Sequence, residues 1–173
     1  MRLLLATTLA LSLPMAALAA GGGEEKAPSK PKCADGLVYD KSTKTCVNAN
    51  NNTLDVDTLY QTVRSLAHDG QYDAAQVVLA AMPQDDDRTL TYMGFTARKM
   101  GQTEAAMTYY SRALARNPGN VLARSYMGQG MVDAGDMKGA LAQLRAIRAH
   151  GGTGTWAEAS LRTAIATGKT FSW

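Results

Sequence analysis

Tyr92-Met93-Gly94, followed by Gly101-Gln102 and Ala106, recurs 34 residues later as Tyr126-Met127-Gly128, Gly135-Asp136 and Ala140. A repeat of that length is one helix-turn-helix unit, which cannot bury its apolar face alone and must stack on a copy of itself. The shared positions have physical reasons. Gly94, Gly128, Ala106 and Ala140 fall where two helices cross, and a small side chain there lets the backbones approach to about 8–10 Å. Gly70, Gly101 and Gly135 fall where the first helix of each pair ends, a place for the left-handed cap conformation.

The punctuation between these marks agrees. Within Asn117-Pro118-Gly119-Asn120, Pro118 cannot continue a helix and Asn120 can cap the next. Asp85-Asp86-Asp87 gives a further helix start its cap and dipole-compatible charge, without the spacing of a calcium loop. These signals predict helices at 55–68, 71–82, 88–100, 103–116, 120–134 and 137–149. A seventh, 154–167, sets Ala157, Leu161, Ala164 and Ile165 on one face and Trp156 at its edge. It is expected to cap the stack with an outward face of Glu158, Arg162 and Lys169, since terminal elements of solenoids need a polar outer surface. The methionines from Met82 to Met137 read as gap-fillers of the core.

The copy from Leu90 to Pro118 resembles the tetratricopeptide repeat. Leu90 stands at the tryptophan of that pattern, Met93-Gly94 at its Leu-Gly, Ala97 at its tyrosine, Ala106 and Tyr110 at its Ala and Phe, and Pro118 at its closing proline. The following copy keeps Met127-Gly128, Met131, Ala140 and Leu144, with Arg124 for the aromatic and Gly152 for the proline. An earlier, degenerate copy aligns on Gly70-Gln71-Tyr72 with Leu59, Leu66, Ala75 and Leu79. The resemblance covers Asp55 to His150 and implies an all-α solenoid of about three repeats, extended here by the capping helix.

That resemblance also implies a function class. Tetratricopeptide repeats bind peptides or helices in a concave groove lined by the first helix of each pair. Position by position, the groove takes Tyr60, Arg64 and His68 from the first copy. Thr91, Phe95, Arg98 and Lys99 come from the second, and Ser125, Gln129, Val132 and Asp133 from the third. The expected partner contacts among them are Tyr60, Arg64, Phe95, Arg98, Lys99, Ser125 and Gln129. Phe95 lies one turn before Arg98 and Lys99, and Arg64 is expected to face them, so an acidic, partly apolar peptide is the expected ligand with Phe95 as its hot spot. The two-lysine, two-asparagine clamp of chaperone-binding members does not appear, which leaves a C-terminal carboxylate without its usual contacts.

The start of the chain addresses it to export. Met1-Arg2, the apolar run Leu3 to Leu13 and Ala17-Leu18-Ala19 read as a secretory signal over 1–19, cleaved before Ala20. No cysteine at the cleavage site marks a lipoprotein. No other stretch approaches the apolar length of a membrane span, so the mature chain is expected to be soluble and periplasmic or secreted, without stable membrane insertion. Its short signal and Ala-rich repeats have a bacterial look, and the Asn51-Asn52-Thr53 sequon would matter only in a eukaryotic source.

Export makes the two cysteines interpretable. Cys33 and Cys46 flank a strand, turn and return, and one bridge between them would contribute about 3 kcal/mol to holding a hairpin over 33–47. They lack the C-x-x-C spacing of a redox pair, and His68 and His150 lack ligand spacing to them or to each other, so neither a metal nor another cofactor is expected. Linkers at 20–32, rich in Gly, Lys and Pro, and at 48–54, rich in Asn, are expected to be slack. Hairpin and repeats (55–150, with the cap and tail at 151–173) should then be independently stable.

The net charge of +3 becomes +2 once Arg2 leaves with the signal. Five of the lysines precede Cys46 and no helix carries a basic stripe with interleaved aromatics, so nucleic-acid binding is not expected. No G-x-S-x-G, H-E-x-x-H or P-loop occurs, and His68 has no nucleophile beside it, which argues against an enzyme. The reading is a periplasmic interaction module, scaffold or adaptor for an envelope protein or peptide, of open oligomeric state. Two alternatives stand beside it: a cell-wall or glycan binder using the bridged hairpin with Tyr39, and an accessory factor in envelope complex assembly.

Overall fold

The computed structural model describes residues 33–171, Asp35 excepted. The expected signal and the 20–32 linker lie outside the described residues. A hairpin, β1 (Val38–Asp40) and β2 (Thr45–Val47), precedes α1 (Val56–His68), α2 (Tyr72–Ala80), α3 (Asp87–Lys99), α4 (Thr103–Arg116), α5 (Val121–Asp133), α6 (Met137–Ala149) and α7 (Trp156–Thr167). Every helix boundary falls within two residues of its expectation.

Local chemistry explains these boundaries. Asp55 accepts from Thr58 N at 2.6 Å, Asp86 from Arg88 N and Thr89 N at 3.0 Å, and Asn120 from Ala123 N at 2.8 Å, each satisfying N–H groups that a helix start leaves open. At the other ends, Gly70, Gly101 and Gly135 take φ of +75°, +80° and +80°. The next residue in each case reaches back to a carbonyl five positions earlier at 2.8 Å: Gln71 to Leu66, Gln102 to Ala97 and Asp136 to Met131. All three turns close alike.

The odd-numbered helices pack along one row, α1 on α3, α3 on α5 and α5 on α7, while α2, α4 and α6 pack mainly on the odd helices at either side. The odd row is therefore the tighter, inner one of an all-α solenoid. Two glycines allow close approaches, one between the rows and one within the inner row. A Cβ on Gly94 would sit 2.6 Å from Tyr110 Cε1 of α4, and one on Gly128 would sit 2.7 Å from Leu161 Cδ2 of α7. Tyr110 and Leu161 are fully buried against those bare backbones.

The seventh helix departs from its expected role in one respect. Ala157, Leu161 and Ala164 are buried as expected, and so is Glu158. Its carboxylate accepts from Gly154 N at 2.8 Å and from Arg148 Nε of α6 at 2.7 Å, which lowers it from the ordinary carboxylate value. Glu158 thus joins α7 to α6 and is not part of an outer solvated face. Arg162 and Lys169 do lie exposed.

The hairpin also departs from expectation. Cys33 and Cys46 are bridged, with Cα atoms 5.7 Å apart, and β1 runs antiparallel to β2 with Tyr39 opposite Cys46. Val38, fully buried, belongs to the same core as Leu59, Val63, Ala75 and Val78 of α1 and α2. Gly36, at φ +76°, lets the chain press on α2, for a Cβ there would stand 3.0 Å from Val77 Cβ. The Asn-rich segment is a strap and not a slack spacer. Asn51 N donates to Asn48 O at 3.0 Å, Leu54 N to Asn51 O at 3.1 Å, and Ala49 is buried. Thr53 Oγ1 donates to Asp40 Oδ2 at 2.7 Å, and Ser42 donates to Asp40 Oδ1 through both its hydroxyl and its N–H. These donors hold Asp40 well below the ordinary carboxylate value. The physical reason is that the first repeat has no predecessor, and Val38 covers apolar surface that a preceding helix pair would otherwise cover.

Three outcomes follow for stability. Gly94→Ala should drive a methyl into the Tyr110 ring and cost about 1–3 kcal/mol in denaturant unfolding. Cys33→Ser with Cys46→Ser should lose about 3 kcal/mol and lower the single melting transition of the repeats, whereas independent modules would leave that transition in place. Because Asp40 and Glu158 titrate lower when folded, stability should hold above about pH 4 and fall as pH drops further, the unfolded chain taking up protons first. Asp40→Asn with Glu158→Gln should flatten that acid slope in pH-dependent unfolding.

Candidate protein-binding face

Each helix of the inner row contributes one aromatic ring to a continuous stripe. Tyr60 of α1 meets Tyr92 of α3 edge-on at 5.6 Å between centroids, Tyr92 meets Tyr126 of α5 at 6.3 Å, and Tyr126 meets Trp156 of α7 at 6.1 Å. Such edge-to-face pairs place the positive rim of one ring on the negative face of the next. The middle of the stripe is closed, with Tyr92 1% and Tyr126 0% exposed. Its ends are open: Tyr60 is half-buried and Trp156 is 39% exposed.

Burial acts alike on the two middle rings and on Tyr110 of α4. Loss of water around the phenol pushes Tyr92 up to about 12, and Tyr110 and Tyr126 higher still. None of the three hydroxyls has a hydrogen-bond partner among the described residues.

The expected partner contacts divide into two groups. Tyr60, Arg64 and Lys99 stand at least partly open on the inner row. The guanidinium carbons of Arg88 and Arg64 lie 5.0 and 6.0 Å from the Tyr60 centroid, and Lys99 Nζ lies 5.9 Å from that of Phe95, within range of a cation over an aromatic face. Burial, followed by the neighbouring Arg98 charge, lowers the Lys99 ammonium. His68 is exposed at the end of α1.

Phe95, Arg98, Ser125 and Gln129 are not surface residues. Phe95 is fully buried, packed against Tyr72, Tyr92 and Tyr126 with centroids 6.2, 6.0 and 4.7 Å away, so it is a core ring joining three helices and not an open hot spot. The Arg98 side chain is 5% exposed and its Nη1 donates to Asp133 Oδ2 at 2.7 Å; it is a strut from α3 to α5. Ser125 Oγ lies 3.0 Å from Ser160 Oγ of α7 and receives Gln129 Nε2 at 3.4 Å. Thr91 and Val132 are buried too, whereas the Asp133 side chain stays 45% exposed. Neighbouring helices, and for Gln129 also the segment beyond α7, cover these positions more closely than a repeat pattern reveals.

Two contributors went unread in the sequence. Arg88 reaches across from α3 to Asp57 of α1 at 2.8 Å and brings its charge over Tyr60. The segment after α7 returns to α5, where Thr170 Oγ1 donates to Asp133 and Phe171 N to Gln129. Away from this face, an open depression of about 410 Å³ beside the strap is floored by Leu54, Val56, Leu59 and Met82 and rimmed by Asn50, Asn51 and Asn52. With no titratable side chain in its lining, it offers apolar contact and amide hydrogen bonds only.

Against known proteins, the tetratricopeptide repeat family model matches residues 97–164, from the last residues of α3 into α7. Over that stretch the chain matches the tetratricopeptide repeat, whose proteins generally serve as protein–protein interaction modules and generally work without catalysis. Neither characterised proteins nor solved structures yield a match. Among the described residues no helix is long and apolar enough to cross a membrane.

Phe95→Ala should cost about 3–5 kcal/mol of stability, a large-to-small core change, and measured unfolding should register it before any binding assay does. Because the buried tyrosines ionise less readily in the folded chain, stability should be intact below about pH 10 and fall as pH climbs above it. Tyrosinate absorbance should then rise together with loss of helical circular dichroism.

Proposed function

We propose that this chain is an exported, periplasmic adaptor or scaffold that binds a protein segment along its inner row. One observation supports the reading: the open ends of the aromatic stripe, Tyr60 and Trp156, belong to the inner row, from which the repeat class draws its ligand contacts, with Arg64 and Arg88 close to the Tyr60 ring and Lys99 close to that of Phe95. Rings that are already packed edge-on supply apolar area without ordering flexible side chains, and the cations favour an acidic, partly apolar segment through association rate and salt dependence. The Cys33–Cys46 bridge supports an oxidising compartment. The glycan reading has less support, because Val38 and Asp40 of the hairpin are occupied in holding it to the repeats.

A photo-crosslinking residue at Lys99 or Trp156 should capture an envelope partner, while the same group at Val77 of α2, 55% exposed on the other row, should not. Trp156→Ala should weaken that capture, and raising the salt concentration should slow it. Equal capture from Val77, or capture confined to Lys41 in the hairpin turn, would remove the inner row as the binding face.

A further inference from the structure

We propose that the segment following α7, Lys169-Thr170-Phe171, is a resident pseudo-ligand of the inner row, and that a partner recognised there carries the same chemistry: a hydroxyl residue followed by a residue with a free amide N–H. The inference rests on the interaction reading above and adds the pattern recognised and the segment that must first move.

Gly168 ends α7 at φ +71°, and its N–H already closes the helix on Ala164 O at 2.8 Å. Lys169 N donates to Thr167 Oγ1 at 3.2 Å at the end of the helix, and the two bonds made beyond it reach α5 instead. Thr170 Oγ1 donates to Asp133 Oδ1 at 3.0 Å, and Phe171 N donates to Gln129 Oε1 at 2.7 Å. The two acceptors stand one turn apart on α5, so they face the same way, at a spacing that the hydroxyl of one residue and the N–H of the next bridge here.

Both acceptors are aimed by buried partners. The second oxygen of Asp133 is held by Arg98 at 2.7 Å, and the amide nitrogen of Gln129 is directed to Ser125, which is linked in turn to Ser160 of α7. Fixing the donor side of Gln129 leaves its oxygen as the acceptor presented to a ligand. What occupies them is by contrast lightly held. Lys169 is exposed, Thr170 and Phe171 are only half-buried, and 169–171 form no helix or strand. A segment of this kind can leave while its prepositioned acceptors stay.

The test uses a dye-labelled peptide, Gly168-Lys169-Thr170-Phe171-Ser172-Trp173, and fluorescence anisotropy. A chain ending at Gly168 should bind it saturably, and the intact chain about tenfold or more weaker, because its own segment competes. In the shortened chain, Asp133→Ala and Gln129→Ala should each weaken binding by about tenfold, as should Thr170→Val in the peptide. Should the shortened chain fail to fold by circular dichroism, Phe171→Pro in the full chain replaces it, since proline removes the N–H that Gln129 accepts while leaving α7 whole. Equal binding by intact and opened chains, or binding indifferent to Asp133 and Gln129, would overturn the proposal. Absent peptide binding with persistent Trp156 crosslinks would sink this inference alone, whereas peptide binding with no envelope partner captured would leave the segment a self-contact and sink the partner reading.

Discussion

Bare backbone facing a large side chain is the contact on which this molecule depends. Where Gly94 meets Tyr110 and Gly128 meets Leu161, a methyl group would already stand closer than packed atoms tolerate. Such close crossings bring α3 onto α4 and α5 onto α7, and the second lies beside the contact of Tyr126 with Trp156, the last of the series Tyr60, Tyr92, Tyr126 and Trp156. A wider spacing would leave Phe95 without its 4.7 Å neighbour and Arg98 without Asp133. The stripe and the struts are consequences of how near the backbones come.

The two ends of the stack solve the same problem differently. A solenoid's first and last units expose faces built for a neighbour. At the start, Val38 of the bridged hairpin fills that place, held by the Asp40 to Thr53 hydrogen bond and by the close approach of Gly36 to α2. At the far end, α7 takes the position of another first helix and ties itself to α6 through Glu158 and Arg148. Both closures use polar side chains that the sequence pattern assigns to solvent or to a turn, and in both the carboxylate is ionised against fixed donors.

The same closeness limits what the inner row can offer a partner. Most of its side chains are already engaged with the next helix, leaving the open ends of the stripe, the cations beside Tyr60 and Phe95, and Asp133 at the surface. A candidate face of this kind combines interlocked rings with a half-buried segment that crosses α5. Such interlocking favours recognition by prepositioned groups over rearrangement of the row.

Local rules in the sequence settled the helices and their ends. Asp55, Asp86 and Asn120 cap, Gly70, Gly101 and Gly135 turn, and the 34-residue recurrence sets the stacking, because each of these acts within a few residues or repeats by translation. Cys33 had a single possible intramolecular partner, so the bridge was legible as well. Tyr60, Arg64 and Lys99 were legible as inner-row residues for the same reason, since position in a repeat assigns a face. Accessibility on that face was decided only by the tertiary structure. Whether Phe95, Ser125 and Gln129 meet solvent or protein depends on α5, α7 and the segment beyond α7, which lies 42 residues from Gln129 at Phe171. Whether the Asn-rich strap is slack depends likewise on Val38 finding the core of α1 and α2. Periodicity records what repeats along the chain, while burial is set by what packs across it.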